Sequence, residues 1–355
     1  MFFIGSKKSL LDFLEKSIYQ IVGKKNFTFL DLFAWTGIVG QHFKAKWHKV
    51  IANDFLYFCY ILNKNYIENN KILKFKNLEN DIKELKNIPY KKRSEFICNY
   101  LDNLELKEWF IYNNYCLGGT KNKKYQRLYF SDENGKKIDT IRQKIEEWKN
   151  KNKINENEYY FLLATLIENA DKIANTASVY WAFLKKLKKS AQKTLTMQPA
   201  YFTIDNNNHK VYNENIEILI EKVEWDVLYL DPPYNTRQYI ANYHLLETIA
   251  RYDNPKIKGK TWLREYKNQK SKFSQKKEVL KAFENIIQKA KAKYIFVSYN
   301  NEGILTEEQI RNIMSKRGKY WVFKKEYSRF KSDKTKNRNY KANSVIEYLH
   351  YVECK

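Results

Sequence analysis

A carboxylate, two prolines and an aromatic ring stand together at Asp231-Pro232-Pro233-Tyr234, directly after the apolar run Trp225-Asp226-Val227-Leu228-Tyr229-Leu230. The run reads as a buried strand. Proline has no backbone N–H and cannot continue a parallel ladder, so the strand must stop there. In an open α/β sheet such a stop lies at the carboxyl edge, where ligands bind. One acceptor side chain, backbone carbonyls and a flat ring then face the same crevice. They suit a planar base with an exocyclic amino group: the acceptors take the amine's hydrogen bonds and the ring stacks on the base.

A second constellation lies near the N-terminus. Phe27 to Phe33 is a short apolar strand ending in Ala34-Trp35-Thr36-Gly37, and Val50 to Ala52 is another, ending in Asn53-Asp54. A strand, a glycine-containing turn, a helix, a second strand and an acidic residue follow in order within about 30 residues, the pattern of a nucleotide-binding βαβ unit. By itself a lone glycine turn says little, because most βαβ units have one.

The elements that must position these residues read as follows. Leu10, Leu11, Leu14, Ile18 and Ile21 recur at helical spacing from Ser6 to Gly23, with Ser6 as cap and Gly23 as stop. Between about 70 and 200 the strand alternation lapses, and the text is rich in Lys, Asn, Glu and Tyr. The strongest helical stretch inside it runs from Glu158 to Lys189, with Leu162, Leu163, Leu166 and Ile167 on one face. The α/β pattern resumes with Lys210 to Tyr212 and Trp225 to Leu230. A helix around Val279 to Ile287, a strand at Tyr294 to Tyr299, and a helix capped by Thr306 come next. Tyr320 to Tyr327 and Val345 to Val352 read as an antiparallel hairpin flanking the basic loop Lys331 to Lys341. The expected architecture is an α/β domain, Rossmann-like and mostly parallel with that hairpin at its C-terminal end. It is formed by residues 1–75 and 200–355 and interrupted by a mostly helical insert at 76–199.

Bulk composition narrows the partners. With 43% hydrophobic and 16% aromatic residues in 355, the chain can build a core, and global disorder is excluded. No apolar run is long enough for a membrane span, and the N-terminus lacks the pattern of a signal peptide. The four cysteines are scattered without metal spacing, so a reduced, cytoplasmic protein without structural zinc is expected. Sixty-five Lys plus Arg against 40 acidic residues give a net charge of +25. The lysines and asparagines are spread as A+T-rich coding would spread them, yet an excess of this size attracts polyanions, and nucleic acid is the expected partner.

The order of the motifs is more specific than any one of them. Ile4-Gly5-Ser6-Lys7-Lys8-Ser9-Leu10-Leu11 comes first, then Asp31-Leu32-Phe33-Ala34-Trp35-Thr36-Gly37, Asn53-Asp54, the insert, and Asp231-Pro232-Pro233-Tyr234. This order resembles the class alpha adenine-N6 DNA methyltransferases of restriction–modification systems, the Dam-like group. Asn235 to Tyr239, Asn242 to Ala250, Tyr252 to Pro255, Asp171 to Leu184 and Val297 to Gly303 are similar to the FokI methylase subgroup. The resemblance covers most of the chain and is weakest from about 70 to 155.

The resemblance implies a class I methyltransferase fold, S-adenosylmethionine as methyl donor and a flipped adenine in double-stranded DNA as acceptor. Asp231 and the carbonyl of Pro232 would accept from the adenine amine, Pro233 would keep the corner rigid, and Tyr234 would stack on the base. Donor binding would fall to Ile4, Gly5, Ser6 and Lys8, with Asp31, Phe33, Ala34, Thr36, Gly37 and Asp54, and with Asp231 at the shared boundary. Asn215 stands where the family usually has an Asp on the donor's adenine. Trp35 replaces a glycine of the family pattern, so its ring must turn outward or fill the donor site. Direct methyl transfer needs no metal.

The insert would recognise the target sequence. Gln126 and Arg127, with Asn122 and Arg142, are base-reading candidates by type and location. Lys258, Lys260 and Arg264, and Lys334, Lys336 and Arg338 in the hairpin loop, would contact phosphates. The expected protein acts as a monomer beside an endonuclease of the same specificity. Two alternatives share the motifs: an RNA adenine-N6 methyltransferase, and a DNA-binding relative in which Trp35 impairs donor binding.

Overall fold

The computed structural model of the chain describes residues 5–223, 225–328 and 344–355. A 3₁₀ turn at Lys7–Leu10 leads into α1 (Leu11–Val22), β1 (Thr28–Asp31), α2 (Ile38–Ala45), β2 (Lys49–Asn53) and α3 (Tyr57–Asn63). Next come α4 (Tyr90–Asp102), α5 (Phe110–Tyr115), α6 (Leu117–Thr120), α7 (Asp132–Asn150) and α8 (Glu156–Ile173). Then follow β3 (Lys210–Tyr212), α9 (Ile216–Lys222), β4 (Trp225–Leu230), α10 (Tyr239–Asn242), α11 (His244–Arg251), β5 (Ile257–Lys258) and β6 (Leu263–Arg264). The chain closes with α12 (Val279–Lys289), β7 (Ala292–Asn300), α13 (Glu307–Met314), β8 (Gly318–Ser328) and β9 (Ser344–Cys354).

These elements divide into two compact units. The first holds residues 5–63 with Asn207–Gln238 and Asn268–Lys355, and the second holds Lys64–Asn206 with Tyr239–Lys267. Sequence reading placed 239–267 with the α/β domain, but side chains of the insert hold this segment. Arg142 on α7 donates to the carbonyls of Ile249 and Ala250, both at 3.2 Å, satisfying two C-terminal carbonyls of α11. The Arg127 guanidinium lies 3.6 Å from the centroid of the Trp262 ring.

In the first unit, seven strands form one sheet among the described residues, ordered β3-β2-β1-β4-β7-β9-β8. The pairs from β3 through β7 are parallel, and β9 pairs antiparallel with both β7 and β8. The expected mostly parallel sheet with a C-terminal antiparallel hairpin is present. Its central strands read as near-continuous apolar runs because both faces are covered, as parallel sheets require. Leu30, Leu228, Leu230, Ile295 and Val297 pack with Phe283, Ile286 and Ile287 of α12 in one core. The first helix begins later than its pattern suggested: Ser6 makes no capping bond, and the 3₁₀ turn precedes α1. Gly23 stops α1 with φ 82°, its N–H returning to the Tyr19 carbonyl.

The second unit is mainly helical. The helix expected from Glu158 to Lys189 stops at Ile173. Its start is sound, with Asn155 and Glu158 forming a reciprocal capping box. Its end is set by tertiary bonds. The Asn175 amide donates to the carbonyls of Leu128 and Leu184, both at 2.9 Å, and its oxygen accepts from the Lys188 N–H at 3.0 Å. Those bonds bend the chain back on itself where an uninterrupted helix would run on. No helix among the described residues is long and apolar enough to cross a membrane.

Candidate active site

The parallel strands end in carboxylates on one edge of the sheet. Asp31 is the last residue of β1, Asp54 directly follows β2, and Asp231 directly follows β4. Because β9 runs antiparallel to β7, its early residue Glu347 pairs with Asn300 at the end of β7 and reaches the same edge. The N-terminal turn supplies Lys7.

These groups interlock. Lys7 Nζ lies 3.3 Å from Asp231 Oδ1 and 2.5 Å from Glu347 Oε1. It also donates to the Tyr234 hydroxyl. That hydroxyl is 2.5 Å from Asp231 Oδ1 and 3.0 Å from Glu347 Oε1, so its single proton can serve either carboxylate. Ser298 donates to Glu347 Oε1 at 2.5 Å. The Tyr234 ring leans on Tyr299 with centroids 4.8 Å apart, and its carbonyl accepts from the Ile304 N–H at 3.0 Å. The ring is therefore held at both ends before any base arrives.

Burial raises the Asp231 carboxyl to about 6, against the lowering influence of Lys7 and with a further rise from Glu347. Asp31 is pushed up by burial and by the neighbouring Asp231 and Asp54 charges. Burial likewise raises the Tyr234 phenol, which stays protonated and able to donate. If the ionised form of Asp231 accepts from the target amine, activity is lost as pH falls through its folded pKa. The expected result is an acid limb of kcat/KM near pH 6. A limb near 4, the range of an exposed carboxylate, would show that Asp231 is not the group that titrates.

The turn after β1 is built by side chains around it. Asp54 accepts the Trp35 N–H on Oδ2 at 2.8 Å and the Leu56 N–H on Oδ1 at 2.9 Å. The Asn63 amide donates to the Trp35 and Cys59 carbonyls, both at 2.8 Å. Asn53 donates to the carbonyls of Leu32 and Glu214, both at 3.3 Å, tying the ends of β1 and β3. Gly37 sits at φ 76° and begins α2. Trp35 sits at φ 49°, a left-handed conformation that suits the glycine of the family pattern better than a tryptophan. Its ring packs edge-on against buried Phe58 of α3, with centroids 5.7 Å apart. Replacing Trp35 by glycine relieves the backbone and deletes this contact. The expected effect on donor affinity is within about threefold, because an aromatic contact of this kind contributes mainly to packing. Tightening of tenfold or more in calorimetry would mean that the ring obstructs the donor.

Other expected site residues are placed differently. Lys8 is exposed, and its neighbour Lys7 is the buried one. Gly5 and Ser6 are exposed, with Gly5 at φ 81°. Phe33 packs edge-on to Phe273 at 4.9 Å, and Ala34 is buried. Thr36 is half-buried, as are Pro233 and Tyr234, whereas Pro232 is buried. The Asn215 side chain caps α9 by accepting the Glu217 N–H at 2.9 Å, a structural use that needs no ligand. Ile4, Lys334, Lys336 and Arg338 lie outside the described residues, as does the loop Lys331 to Lys341.

Three arginines assigned to nucleic acid are not available to it. Arg127 is buried, stacks on Trp262 and donates to the carbonyls of Tyr125, Gly259 and Lys260. Arg264 is buried and holds Asp253 through both terminal nitrogens, at 3.2 and 2.7 Å. Arg142 is likewise buried. Gln126, Asn122, Lys258 and Lys260 are exposed. Residue type alone could not separate these groups, since an arginine that satisfies loop carbonyls reads like one that meets a phosphate.

Sequence reading missed Lys7, Asn53, Asn63, Ser298 and Glu347. Two had visible signals. Lys7 shares helical phase with Leu10 and Leu14, and all three are buried. Glu347 alternates with Val345 and Leu349, also buried, so period two places a carboxylate on an inward face.

One observation tests whether a cationic donor fits. Oδ1 of buried Asp31 has no hydrogen-bond partner among the described residues. A buried carboxylate oxygen without a donor is costly, and an N–H-bearing or positively charged ligand would satisfy it. Asp54 and Asp231 add negative charge beside it. The donor set fits S-adenosylmethionine, which carries an ammonium, a sulfonium and ribose hydroxyls.

Comparison with known proteins points to one family. The model of the D12 class N6 adenine-specific DNA methyltransferase family matches residues 3–313. The type II methyltransferase M.NlaIII of Neisseria lactamica is 51% identical over 356 residues, covering 99% of each chain. The type II methyltransferase M.FokI of Planomicrobium okeanokoites is 44% identical over 363 residues, and the chain spans 52% of its length. The type II methyltransferase M.CviAII of Paramecium bursaria Chlorella virus 1 is 32% identical over 352 residues and is matched over 97% of its length.

Proposed function

We propose the following division of labour from the premise that this chain belongs to the D12 class N6 adenine-specific DNA methyltransferase family. Methyltransferases of this kind use S-adenosylmethionine, which supplies an electrophilic methyl group. Asp231, the Pro232 carbonyl and Tyr234 receive the target adenine. Its amino nitrogen is a poor nucleophile because the lone pair is delocalised into the ring. Asp231 accepts one amine N–H and the Pro232 carbonyl accepts the other. Held in this way, the amine keeps its lone pair aimed out of the base plane. Pro233 keeps the corner from flexing, and the Tyr234 ring stacks on the base. The observation that carries the reading is the half-buried Asp231 carboxylate at the end of β4, bonded to Tyr234 and facing Lys7.

On the donor side, Asp31 binds the positively charged end of S-adenosylmethionine through Oδ1. Gly37 and the turn built by Asp54 and Asn63 leave room for the methionine part, and Asp54 remains the acceptor for ribose hydroxyls. Ile4, Gly5, Ser6, Phe33, Ala34 and Thr36 complete that side. The unit formed by Lys64–Asn206 and Tyr239–Lys267 reads the target sequence, with Gln126, Lys258 and Lys260 among its exposed polar groups. The protein works as a monomer in the cytoplasm, as the modification half of a restriction–modification system with an endonuclease of the same specificity. Its type II relatives support this reading.

The test is transfer of a labelled methyl group to duplex DNA and to RNA of matched sequence, with digestion of the product to nucleosides. Label in N6-methyldeoxyadenosine from DNA alone is expected. Label in RNA, or in a cytosine product, would overturn the assignment. In a parallel thermal-unfolding experiment, donor at a hundred times its dissociation constant should stabilise the protein by about 2.7 kcal/mol. An unmoved midpoint at millimolar donor would contradict the donor site.

A further inference from the structure

We propose that Lys7 and Glu347 form a buried charge pair that fixes the Asp231 carboxylate and the Tyr234 hydroxyl in place for the target amine. The inference rests on the assignment of Asp231 as amine acceptor and makes Lys7 and Glu347 positioning residues for it.

The geometry is that of a shared cation between two carboxylates. Lys7 and Glu347 have side chains 5% and 0% exposed, against 19% for Asp231. Three groups meet on Glu347 Oε1: the Lys7 ammonium, the Ser298 hydroxyl and the Tyr234 hydroxyl. The other oxygen, Oε2, is buried and has no hydrogen-bond partner among the described residues. Burying a carboxylate in this half-satisfied way costs folding free energy, and a functional use of the charge accounts for its retention. Its use here is to fix the ammonium. Lys7 Nζ bridges the two carboxylates, 3.3 Å from Asp231 and 2.5 Å from Glu347. The Tyr234 hydroxyl lies between the two carboxylates and is locked by the same pair.

The charges that face Asp231 come from every neighbouring element. Lys7 from the N-terminal turn favours its ionised form. Glu347 of β9 and Asp31 of β1 oppose ionisation, and the phenols of Tyr234 and Tyr229 lie alongside. Lys7 and Glu347 therefore act on Asp231 with opposite signs, even though they touch each other. A role in packing alone gives no such opposition.

The experiment compares the pH profile of kcat/KM for methyl transfer to duplex DNA in wild type, Lys7→Met, Lys7→Arg and Glu347→Gln. Folding of each variant is verified by circular dichroism. Lys7→Met should move the acid limb up by about one pH unit, and Glu347→Gln should move it down by a similar amount. At pH 6.5 the methionine variant should lose about threefold in kcat/KM and recover it at pH 8.5, while Lys7→Arg should restore the wild-type limb. The carboxyl resonance of Asp231, followed in ¹³C-aspartate-labelled protein and assigned with Asp231→Asn, should titrate with the same two opposite shifts. That resonance requires no turnover. A wild-type protein that transfers no methyl group would refute the methylase assignment, while the resonance would still judge the charge pair. Shifts of the same sign, or none, in folded Lys7→Met and Glu347→Gln would overturn the proposal.

Discussion

Asp231→Asn is expected to lower the rate of methyl transfer by about a thousandfold while leaving the affinity for duplex DNA within a few-fold. Asparagine has the size of aspartate and keeps one carbonyl oxygen, so the corner after β4 should retain its shape. What it loses is charge. The target nitrogen becomes more positive as it bonds to the methyl group, and a carboxylate stabilises that change more than the starting amine. An interaction that strengthens only toward the transition state appears in kcat rather than in binding. The substitution also leaves Lys7 facing one carboxylate in place of two, and turns the Tyr234 hydroxyl toward Glu347 Oε1, now 3.0 Å away. Single-turnover kinetics separate these effects from product release. A loss of under tenfold would mean that Asp231 shapes the corner without acting on the amine.

The second large effect is expected at Gly37. At φ 76° an alanine already meets backbone strain, and a Cβ there would lie 2.5 Å from Asn63 Oδ1. Asn63 cannot move away freely, because its amide ties the Trp35 and Cys59 carbonyls together. Gly37→Ala must therefore break those bonds or shift the turn from Ala34 to Gly37. Left-handed strain and one disrupted buried amide together cost roughly 2–4 kcal/mol. Donor affinity should fall by tenfold or more, since the displaced turn is the one proposed to pass under the donor. Urea unfolding and calorimetric titration would read the two effects separately. An unaltered midpoint together with unaltered donor affinity would show that the turn tolerates a side chain.

The sheet was legible because parallel strands buried on both faces write continuous apolar runs, and because proline ended β4 where the chemistry begins. The antiparallel closing pair was legible from its alternation. Tertiary competition hid the rest. Ala174 to Lys189 holds no proline or glycine to stop a helix, and what ends α8 is the side chain of Asn175 reaching Leu128 and Leu184. Arg127 and Arg264 carry the charge of phosphate-binding residues, yet they are used inside their own unit, on carbonyls and on Asp253. The acceptor corner was found because its signal is contiguous. Its counter-charges were missed because Lys7 and Glu347 lie 340 positions apart and meet only through the fold.

Trp35 illustrates a departure that the turn accommodates. Its backbone takes the conformation of the absent glycine, and Asp54 and Asn63 hold that peptide from both sides. The ring finds its packing partner in Phe58 of α3.

The central claim is tested most directly by modification-sensitive long-read sequencing of genomic DNA from a host that expresses this chain, beside one expressing Asp231→Ala at the same level. The account predicts N6-methyladenine at one short sequence motif throughout the genome in the first host and none in the second. Unmodified DNA from a host that makes the folded wild-type protein would contradict it, as would the same methylated motif in the Asp231→Ala host.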